Sequence, residues 1–446
     1  METSRKGGAG AALAQATEAG VKFVRLQVTD FTGAFKNTAI TVEELDYVLA
    51  GRLTFDSAII EGFYGSRERE ILLVPDPETF VIFPWRPRDG AVARLICQAA
   101  YPDGTPFPAC SRTVLKNVLE TLGKRGWYFR VAAEVEFFLF YVEDQGRPTT
   151  VTHDQAGYCD LTPVDLGENA RRDMVLTLQE MGIPVRSSHH EVSPGQHEIG
   201  LVEGDALEMA DRIATFKFVV RTVAQRHGLH ASFMPRPLGA RSGSGMKLHV
   251  SLWREDENLF HDPNEPRQLS ATAHGFAAGL LAHAPALTAL TNPLVNSYKR
   301  LVPDGFHPVL AAWSQDSRAT MLRMPGSGGR PCRLTLRSPD PTANPYLALA
   351  GILAAGMDGV DRRLELPEPV PGTVDQNLDA LRETAREMGL PRHLEAALAA
   401  LGTDALVRDT LGEELYRRYA AAKEREWADF LATVHPWEIT TYLAQY

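Results

Sequence analysis

Apolar and polar residues alternate over the first hundred positions of the chain. Apolar residues occupy every second position from Val24 to Val28, and Thr32 and Gly33 then give a turn signal, which predicts a β-hairpin. Two further short apolar runs, ILLVPDPETFVIF and AVARLICQAA, are interrupted by proline or bounded by glycine. The pattern predicts a small sheet-rich domain over residues 1–105, ending near the linker YPDGTPFPACS.

Residues 106–446 combine long amphipathic helices with short strands. A helical period runs through TVLKNVLETLGKRG, ENARRDMVLTLQEMG and ALEMADRIATFKFVVRTVAQRHG, and the tail from Asn377 onward is mostly helical. This mixture predicts the α+β fold class. MPGSGGRP, residues 324–331, is typical of a flexible loop and lacks the Gly-Lys-Ser/Thr of a Walker A phosphate loop.

Carboxylates lie on the polar faces of two predicted strand regions. In AAEVEFFLF, Glu134 and Glu136 share one face, about 6.6 Å apart. In SHHEVSPGQHEIG, Glu191 and Glu198 flank a turn that can bring both to one side of a hairpin. Neighbouring carboxylates repel unless a cation or a proton lies between them, and Mg²⁺ and Mn²⁺ prefer such oxygen ligands. The alternative is a set of solvated glutamates on an exposed strand.

Three histidines accompany the second carboxylate pair, at positions 189, 190 and 197. They raise the alternative of a zinc site, but their spacing is poor for zinc. A structural role is the preferred interpretation of these histidines.

Five arginines lie at predicted strand and loop ends: Arg300, Arg318, Arg323, Arg333 and Arg337. The forked guanidinium suits phosphates and carboxylates, although any one of the five could be a surface residue. A pocket that holds a divalent cation at one part and anions at another fits phosphoryl transfer, in which catalysis is mostly positioning and charge neutralisation.

Composition narrows the cellular setting. The 446 residues include 46 basic and 56 acidic side chains, which gives a formal net charge of -10. A negative net charge disfavours binding to nucleic acids, which are themselves negatively charged. Four cysteines without a CxxC pair indicate a reduced cytoplasmic protein with buried thiols. The N-terminus METSRKGGAGAALAQA lacks the apolar core of a signal peptide, and no apolar run reaches the ~20 residues of a membrane span. We therefore expect no nucleic-acid or membrane partner.

Over nearly its whole length the chain resembles the shorter form of the type I glutamine synthetases. The blocks FDSAIIEGF, GYCDLTPVDLGENARRD, SHHEVSPGQHEI, NSYKRLVP and DPTANPYLALAGILAAGMDG stand in family order, and HPWEITTYLAQY resembles the family's end. The resemblance implies a β-grasp domain over 1–105 and a catalytic domain over 106–446 with a strand-walled funnel. It also implies a homo-oligomer, a dodecamer of two hexameric rings with active sites between neighbouring subunits.

The implied chemistry is ATP-dependent ligation with Mg²⁺ or Mn²⁺. The γ-carboxylate of glutamate becomes an acyl phosphate, and an amine then displaces the phosphate. The positions that match the ligands of a first ion are Glu136, Glu191 and Glu198, all of them carboxylates.

The positions that match the ligands of a second ion depart from the family pattern. The family uses a glutamate, a histidine and a glutamate, and this chain has Glu134, Lys247 and Thr335. A charged ammonium cannot ligate a metal but carries its own positive charge. We interpret Lys247 as a catalytic substitute for part of the missing charge, paired with Glu134. The alternative is simple decay of an unused site.

The resemblance also assigns the substrate contacts by position. Arg300 and Arg337 match the clamp on the glutamate carboxylate and transferred phosphate. The matches to nucleotide-phosphate contacts are His249, Arg318, Arg323 and Arg333. Gly243 matches a glutamate-binding backbone position, and its neighbour, usually asparagine, is Ser242.

The amine pocket is less polar than the family pattern requires. Asp56 matches the acid that binds and deprotonates ammonium. Ile59 stands where the family has the serine of that pocket, and Phe306 stands where the family has the flap glutamate. His307, next to Phe306, is a candidate base. A pocket with fewer polar groups binds an ammonium ion poorly, because burying its charge is costly. We therefore expect the substrate to be an amine other than ammonia. The alternatives are a catalytically degenerate homologue that regulates or assembles with an active paralogue, and an ordinary glutamine synthetase that tolerates these changes.

Overall fold

The computed structural model describes residues 8–61, 69–86, 89–265, 267–324 and 332–446. The loop predicted at MPGSGGRP lies outside the described residues except for Met324. Within these ranges no helix is both long and apolar enough to cross a membrane. All four cysteines are free thiols, and three are buried, but Cys159 is exposed. The prediction of buried thiols is therefore wrong for Cys159, which lies on a surface loop.

The first part of the chain folds as a mixed five-stranded sheet. Its elements are α1 (Ala9–Glu18), β1 (Val21–Thr29), β2 (Phe35–Thr41), α2 (Leu45–Leu49), β3 (Thr54–Asp56), α3 (Ala58–Glu61), β4 (Glu70–Ile82) and β5 (Ala91–Ala100). The order is β2-β1-β5-β4-β3, with β1 and β5 parallel and the other pairs antiparallel. The hairpin predicted at Thr32 and Gly33 is the β1–β2 connection, and the sheet is the expected β-grasp domain.

The rest of the chain surrounds a second, larger sheet with helices. Its elements are α4 (Ser111–Gly123), β6 (Tyr128–Val142), β7 (Pro148–Thr152), α5 (Glu168–Glu180), β8 (Val185–His190), β9 (Gln196–Leu201), β10 (Gly204–Asp205), α6 (Ala206–Arg226), β11 (Leu229–Ser232), β12 (Met246–Arg254), β13 (Glu257–Asn258), α7 (Ala271–Ala282), α8 (Ala284–Thr291), α9 (Ser297–Arg300), β14 (Leu310–Ser314), β15 (Thr320–Arg323), β16 (Leu334–Leu336), α10 (Pro345–Arg362), α11 (Leu378–Glu387), α12 (Leu394–Thr403), α13 (Ala405–Leu411), α14 (Glu413–Ala432) and α15 (Pro436–Tyr442). The three predicted amphipathic helices correspond to α4, α5 and α6, and the helical tail is also confirmed.

The main path of this sheet runs β14-β15-β16-β12-β6-β9-β8. The strand β6 lies near its middle and pairs antiparallel with β12 on one side and with β9 on the other. Apolar residues of β6 that point away from the carboxylates, including Val135, Phe137 and Leu139, are fully buried in the core. Burying this face fixes the register, because a slip of one residue would exchange the two faces of the strand.

Close helix packing supports the sheet from behind. Helices α7 and α10 approach so closely at Gly279 and Gly359 that a side chain at either position would overlap the backbone of the other helix. The helices therefore depend on glycine at this crossing.

Candidate active site

The sheet register brings the acidic and basic strand residues together. Lys247 on β12 stands directly opposite Glu134 on β6, and Glu136 stands opposite Glu198 on β9. On the outer strand, His189 pairs with Glu198. We call Glu134, Glu136, Glu191 and Glu198 the carboxylate cage.

The ammonium of Lys247 lies inside the carboxylate cage. Its Nζ is 2.5 Å from Oε2 of Glu198, 3.4 Å from Oε1 of Glu136 and 3.6 Å from Oε2 of Glu134. The expected pairing with Glu134 is therefore present, but the contacts with Glu198 and Glu136 are closer. One lysine thus contacts carboxylates from both of the ion sites inferred from the sequence.

The charges in the cage do not balance, and the carboxyl pKa values respond. Burial alone would lower the pKa of Lys247, but attraction from Glu136, Glu198 and Glu134 raises it, so the ammonium stays charged. Burial raises the pKa of Glu198 to about 7 although Lys247 opposes this, and repulsion from Glu136 and Glu134 contributes to the rise. A further cation would relieve the surplus negative charge.

Hydrogen bonds hold Glu136 on the lysine side of the cage. Its Oε2 accepts from the backbone N–H of Gly245 at 2.7 Å and from the side-chain amide of Gln196 at 3.3 Å. A side chain at position 245 would overlap the guanidinium of Arg300, which explains the glycine there. With Lys247 near its other oxygen, Glu136 has protein partners for both oxygens.

His189 joins Glu191 and Glu198 on the opposite side of the cage. Its Nε2 lies 3.2 Å from Oε1 of Glu191 and 3.9 Å from Oε1 of Glu198. One ligand atom from each of the three residues lies within 4.8 Å of the others, a donor set that fits a divalent cation. The sequence did carry a signal for this: His189 is two residues from Glu191, and the predicted hairpin places it near Glu198.

A hydrogen-bonded chain occupies the positions that match the second ion's ligands. Nε2 of His249 is 2.9 Å from Oε1 of Glu134, and its Nδ1 is 2.8 Å from Oγ1 of Thr335. Burial alone would raise the pKa of Glu134, but His249, Lys247 and Arg333 lower it to about 2. Both ring nitrogens of His249 are therefore engaged within the protein, and its expected nucleotide contact stays a prediction.

The arginines cluster beside the cage. Burial lowers the pKa of Arg337 to about 10, and repulsion from Arg323, Arg318 and Arg300 contributes. Arg300 is buried, and its two Nη atoms donate to the backbone carbonyls of Ser338 and Arg337 at 2.9 and 3.0 Å. Arg300 thus supports the segment that follows β16 and carries Arg337, while its expected substrate contact stays a prediction. The side chains of Arg318 and Arg323 are exposed.

The loop that contains Phe306 is anchored through His307. Nε2 of His307 accepts from the backbone N–H of Gly243 at 3.1 Å and lies 3.2 Å from Oγ of Ser242, while its Nδ1 lies 2.9 Å from Asp304. The ring is buried and both nitrogens are engaged, so the structure does not favour His307 as a replacement base. The Phe306 side chain is 59% exposed.

Asp56 and Ile59, which match the family's amine pocket by position, lie at the end of β3 and in the following α3. Asp56 ends β3, the edge strand, is exposed, and accepts from the backbone N–H of Ala58 at 2.8 Å. Ile59 is half-buried and packs against the core. Among the described residues, no hydrogen bond or ion pair joins Asp56 to the carboxylate cage. Since the resemblance implies active sites between neighbouring subunits, we expect Asp56 to face the active site of a neighbouring subunit, and this stays a prediction.

A second polar cluster, fully buried, supports the hairpin that carries Glu191 and Glu198. Asp154 accepts from the backbone N–H of Gly195 in the hairpin turn at 2.8 Å, and its carboxylate lies 3.0 Å from His153 and 3.2 Å from His190. Sequence reasoning missed Asp154, because only the tertiary fold brings its loop under the turn.

The histidines of this cluster have structural partners. Nη1 of Arg171 lies 2.8 Å from Asp165 and donates to Nδ1 of His197 at 2.9 Å. The proton of a neutral His197 then sits on Nε2, which leaves no nitrogen lone pair for a metal. The preferred interpretation of His190 and His197 as structural histidines is supported.

Replacing Asp154 with asparagine is expected to lower the free energy of unfolding by about 3–5 kcal/mol near neutral pH, because it leaves buried partners uncompensated. Burial alone would raise the pKa of Asp154, but His153, His190 and the N–H of Gly195 hold it well below its ordinary value. Its stabilising contribution is therefore complete above about pH 4 and is lost as the pH falls further.

Urea unfolding of wild type and Asp154→Asn near pH 7 and near pH 3 measures this difference, which should shrink at the lower pH. Asp160→Asn, on the same loop but exposed, is the control and should change stability by less than about 0.5 kcal/mol. An equal loss for both variants would contradict this role of Asp154.

Comparison with known proteins agrees with this geometry. Residues 20–102 match the glutamine synthetase β-grasp domain, and residues 108–442 match the glutamine synthetase catalytic domain. The chain is 49% identical over 430 residues to the glutamine synthetase of Thermus thermophilus, covering 96% of each chain. It is 48% identical to that of Clostridium saccharobutylicum over 96% of this chain and 97% of that one.

Solved structures with the same fold include a GmaS/ADP complex. The TM-score is 0.87 at 31% identity, over 97% of this chain and 99% of that chain. Apo GmaS without ligand gives a TM-score of 0.86 at 32% identity, with the same coverage. The fold, the two matched domains and these relatives together show that the chain belongs to the glutamine synthetase family.

Proposed function

We propose that the protein is an ATP-dependent ligase that activates a glutamate-type γ-carboxylate as an acyl phosphate and joins it to an amine other than ammonia. One observation carries the choice of amine. Phe306 stands at the position of the flap glutamate with an exposed apolar ring, and both nitrogens of neighbouring His307 are engaged. No free proton acceptor is therefore present at either position to take a proton from ammonium.

The residues of the cage fit a divalent cation. Glu191 and Glu198, with Glu136 at the third matching position, would hold Mg²⁺ or Mn²⁺, which supplies charge neutralisation to the phosphate oxygens of ATP. Lys247 contributes a fixed positive charge to the side of the cage where the family places its second ion. The assignment of the second-ion positions, where Glu134 is kept and Lys247 and Thr335 replace the family's other two ligands, is part of this proposal.

The arginine cluster would bind the anionic groups of the substrates. Arg318, Arg323 and Arg333 face the nucleotide phosphates in this proposal, and Arg337 faces the transferred phosphate and the amino-acid carboxylate. Mutual repulsion among these guanidinium groups favours binding of an anion between them. The likeness to a GmaS/ADP complex supports an adenine nucleotide as the ligand.

The direct test is ADP release from ATP and glutamate, measured over a panel of organic amines and ammonia with Mg²⁺ or Mn²⁺. At least one organic amine should give a higher kcat/KM than ammonia, and mass spectrometry should identify its γ-glutamyl amide. Glutamine formation from ammonia with the highest kcat/KM of the panel would contradict the proposal.

A second candidate is a catalytically degenerate family member that regulates or assembles with an active paralogue. The observation that favours it is the Lys247 ammonium, 2.5 Å from a carboxylate that the first ion would need. Absence of ADP release with every amine, together with co-assembly with a paralogue, would support this candidate.

The double variant Phe306→Glu with Ile59→Ser is expected to use ammonia better than the wild type. It restores a proton acceptor and a polar group, and a positioned acid or base typically contributes about 10²–10⁴-fold. We expect a rise of about tenfold or more in kcat/KM for ammonia, measured by glutamine formation. The matched control, Phe306→Leu with Ile59→Val, keeps both positions apolar and should give no rise. A similar rise in the control would show that the polar groups are not responsible.

The protein is expected to form a ring oligomer of twelve subunits. Its C-terminal segment exposes large apolar side chains, with Trp437 65% and Leu443 74% exposed, as expected for a segment that packs on another copy. Mass photometry at micromolar concentration should show the dodecamer, and Trp437→Ser with Leu443→Ser should shift it toward hexamers. Thr440→Ser is the control. A wild-type monomer would contradict the expectation.

A further inference from the structure

The segment Ser242–Gly243 leads into strand β12 beside the carboxylate cage. Two residues after Gly243, the backbone N–H of Gly245 donates to Oε2 of Glu136 at 2.7 Å. At Gly243 itself, a side chain would overlap the backbone carbonyl of Pro235. The backbone of this segment is therefore closely packed next to the cage, and it matches the position at which the acid substrate is expected to bind.

The β8–β9 hairpin holds one side of this segment. Oγ of Ser193 donates to the backbone carbonyl of Ser242 at 3.3 Å, and the side-chain amide of Gln196 donates to the carbonyl of Gly243 at 3.1 Å. Both donor side chains are buried. The two carbonyls of the segment are therefore fixed by the hairpin that carries two carboxylates of the cage.

His307 holds the other side of the segment. Its Nε2 accepts from the backbone N–H of Gly243 at 3.1 Å and lies 3.2 Å from Oγ of Ser242. Since Nε2 accepts, the ring proton of the neutral imidazole lies on Nδ1, which donates to Oδ2 of Asp304 at 2.9 Å. The ring is only 3% exposed. His307 thus joins Gly243 to the loop that carries Phe306.

Asp304 keeps the ring of His307 in this orientation. Its Oδ1 accepts from the backbone N–H groups of Phe306 at 2.9 Å and of His307 at 3.2 Å, and its Oδ2 lies 3.8 Å from Nη1 of Arg236. Burial alone would raise the pKa of Asp304, but His307 and these two N–H groups lower it. The carboxylate therefore stays ionised and binds both the ring and its own loop.

We infer that His307 is a positioning residue that fixes the backbone of Gly243 for the acid substrate and holds the Phe306 loop against the same segment. This inference rests on the proposed function, in which the segment binds the acid. Binding of the acid and protection of the acyl phosphate from water then depend on one histidine that does not itself touch the substrate.

The test compares His307→Ala with His307→Gln in the full-length protein. Alanine removes the acceptor for the Gly243 N–H, so the KM for glutamate should rise about tenfold, while the KM for ATP should change less than about twofold. ADP release without amine should also increase, because a loosened loop admits water to the acyl phosphate. Glutamine offers a side-chain oxygen to the same N–H and should recover most of both losses. His227→Ala, exposed next to the end of α6, is the control and should change neither.

An unchanged KM for glutamate in folded His307→Ala would overturn the inference, as would equal losses in the alanine and glutamine variants. If His307→Ala fails to fold, Asp304→Ala keeps the ring but removes its Nδ1 partner, and it should still raise the KM for glutamate and not that for ATP. Wild-type activity with an unchanged KM in these variants would sink only the inference. Absence of ADP release from the wild type with every amine would overturn the proposed function as well.

Discussion

Replacing Lys247 with methionine should lower the rate of ATP turnover about a hundredfold or more while leaving the oligomer intact, because one positioned charge at a developing phosphoryl transition state is worth about 3 kcal/mol or more. Methionine keeps an unbranched side chain of similar reach but removes the ammonium. The cage would then hold Glu134, Glu136 and Glu198 without the cation that lies within 3.6 Å of each. Steady-state ADP release with the best amine of the panel measures the loss, and mass photometry checks assembly.

Two further variants separate charge from general damage. Lys124→Met removes an exposed lysine at the end of α4 and should leave turnover unchanged. Lys247→Arg keeps the charge in a bulkier group and should retain more activity than Lys247→Met. Full activity in Lys247→Met would mean that the lysine is a remnant of an unused site and carries no catalytic charge.

A second divalent ion should bind when the family's ligands are restored together. Lys247→His with Thr335→Glu would place an imidazole and a carboxylate near Glu134, since Lys247 on β12 stands opposite Glu134 on β6 and Thr335 on β16 stands opposite His249, two residues further along β12. Mn²⁺ titration by calorimetry should rise from one ion per subunit to two. Lys247→His alone should stay at one ion, because position 335 still lacks a carboxylate.

The single variant Thr335→Glu is the matched control for the pair, and it should also stay at one ion while Lys247 remains. A stoichiometry of one ion in the double variant would contradict the assignment of these positions to a second site. Two ions in the wild type would contradict it more directly.

The residue pattern predicted the parts of the site that depend on strand alternation. Glu134 and Glu136 share a face because their strand is apolar on its other side, and Lys247 shares a face with His249 for the same reason. The pairing of Lys247 with Glu134 followed from the resemblance. Its closer approach to Glu198 could not be predicted, because alternation sets the direction of a side chain but not where its four-carbon stem ends.

Other features depend on the tertiary fold or on neighbouring chains. The support of the hairpin by Asp154 arises from a loop that packs beneath strands distant in sequence, and no local pattern encodes such a contact. The predicted role of Asp56 needs a second subunit, since Asp56 lies on an exposed edge strand. The alternation of residues along the strands therefore predicted where the carboxylate cage lies. The balance of charges within the cage could be determined only from the folded structure.

The most direct test of the central claim, that Lys247 stands in for the second ion, is anomalous scattering from crystals soaked with Mn²⁺. The account predicts one strong peak per subunit, next to Glu191 and Glu198, with the Lys247 ammonium still facing Glu134. Two equally occupied peaks in the wild type, one of them beside Glu134, would contradict it.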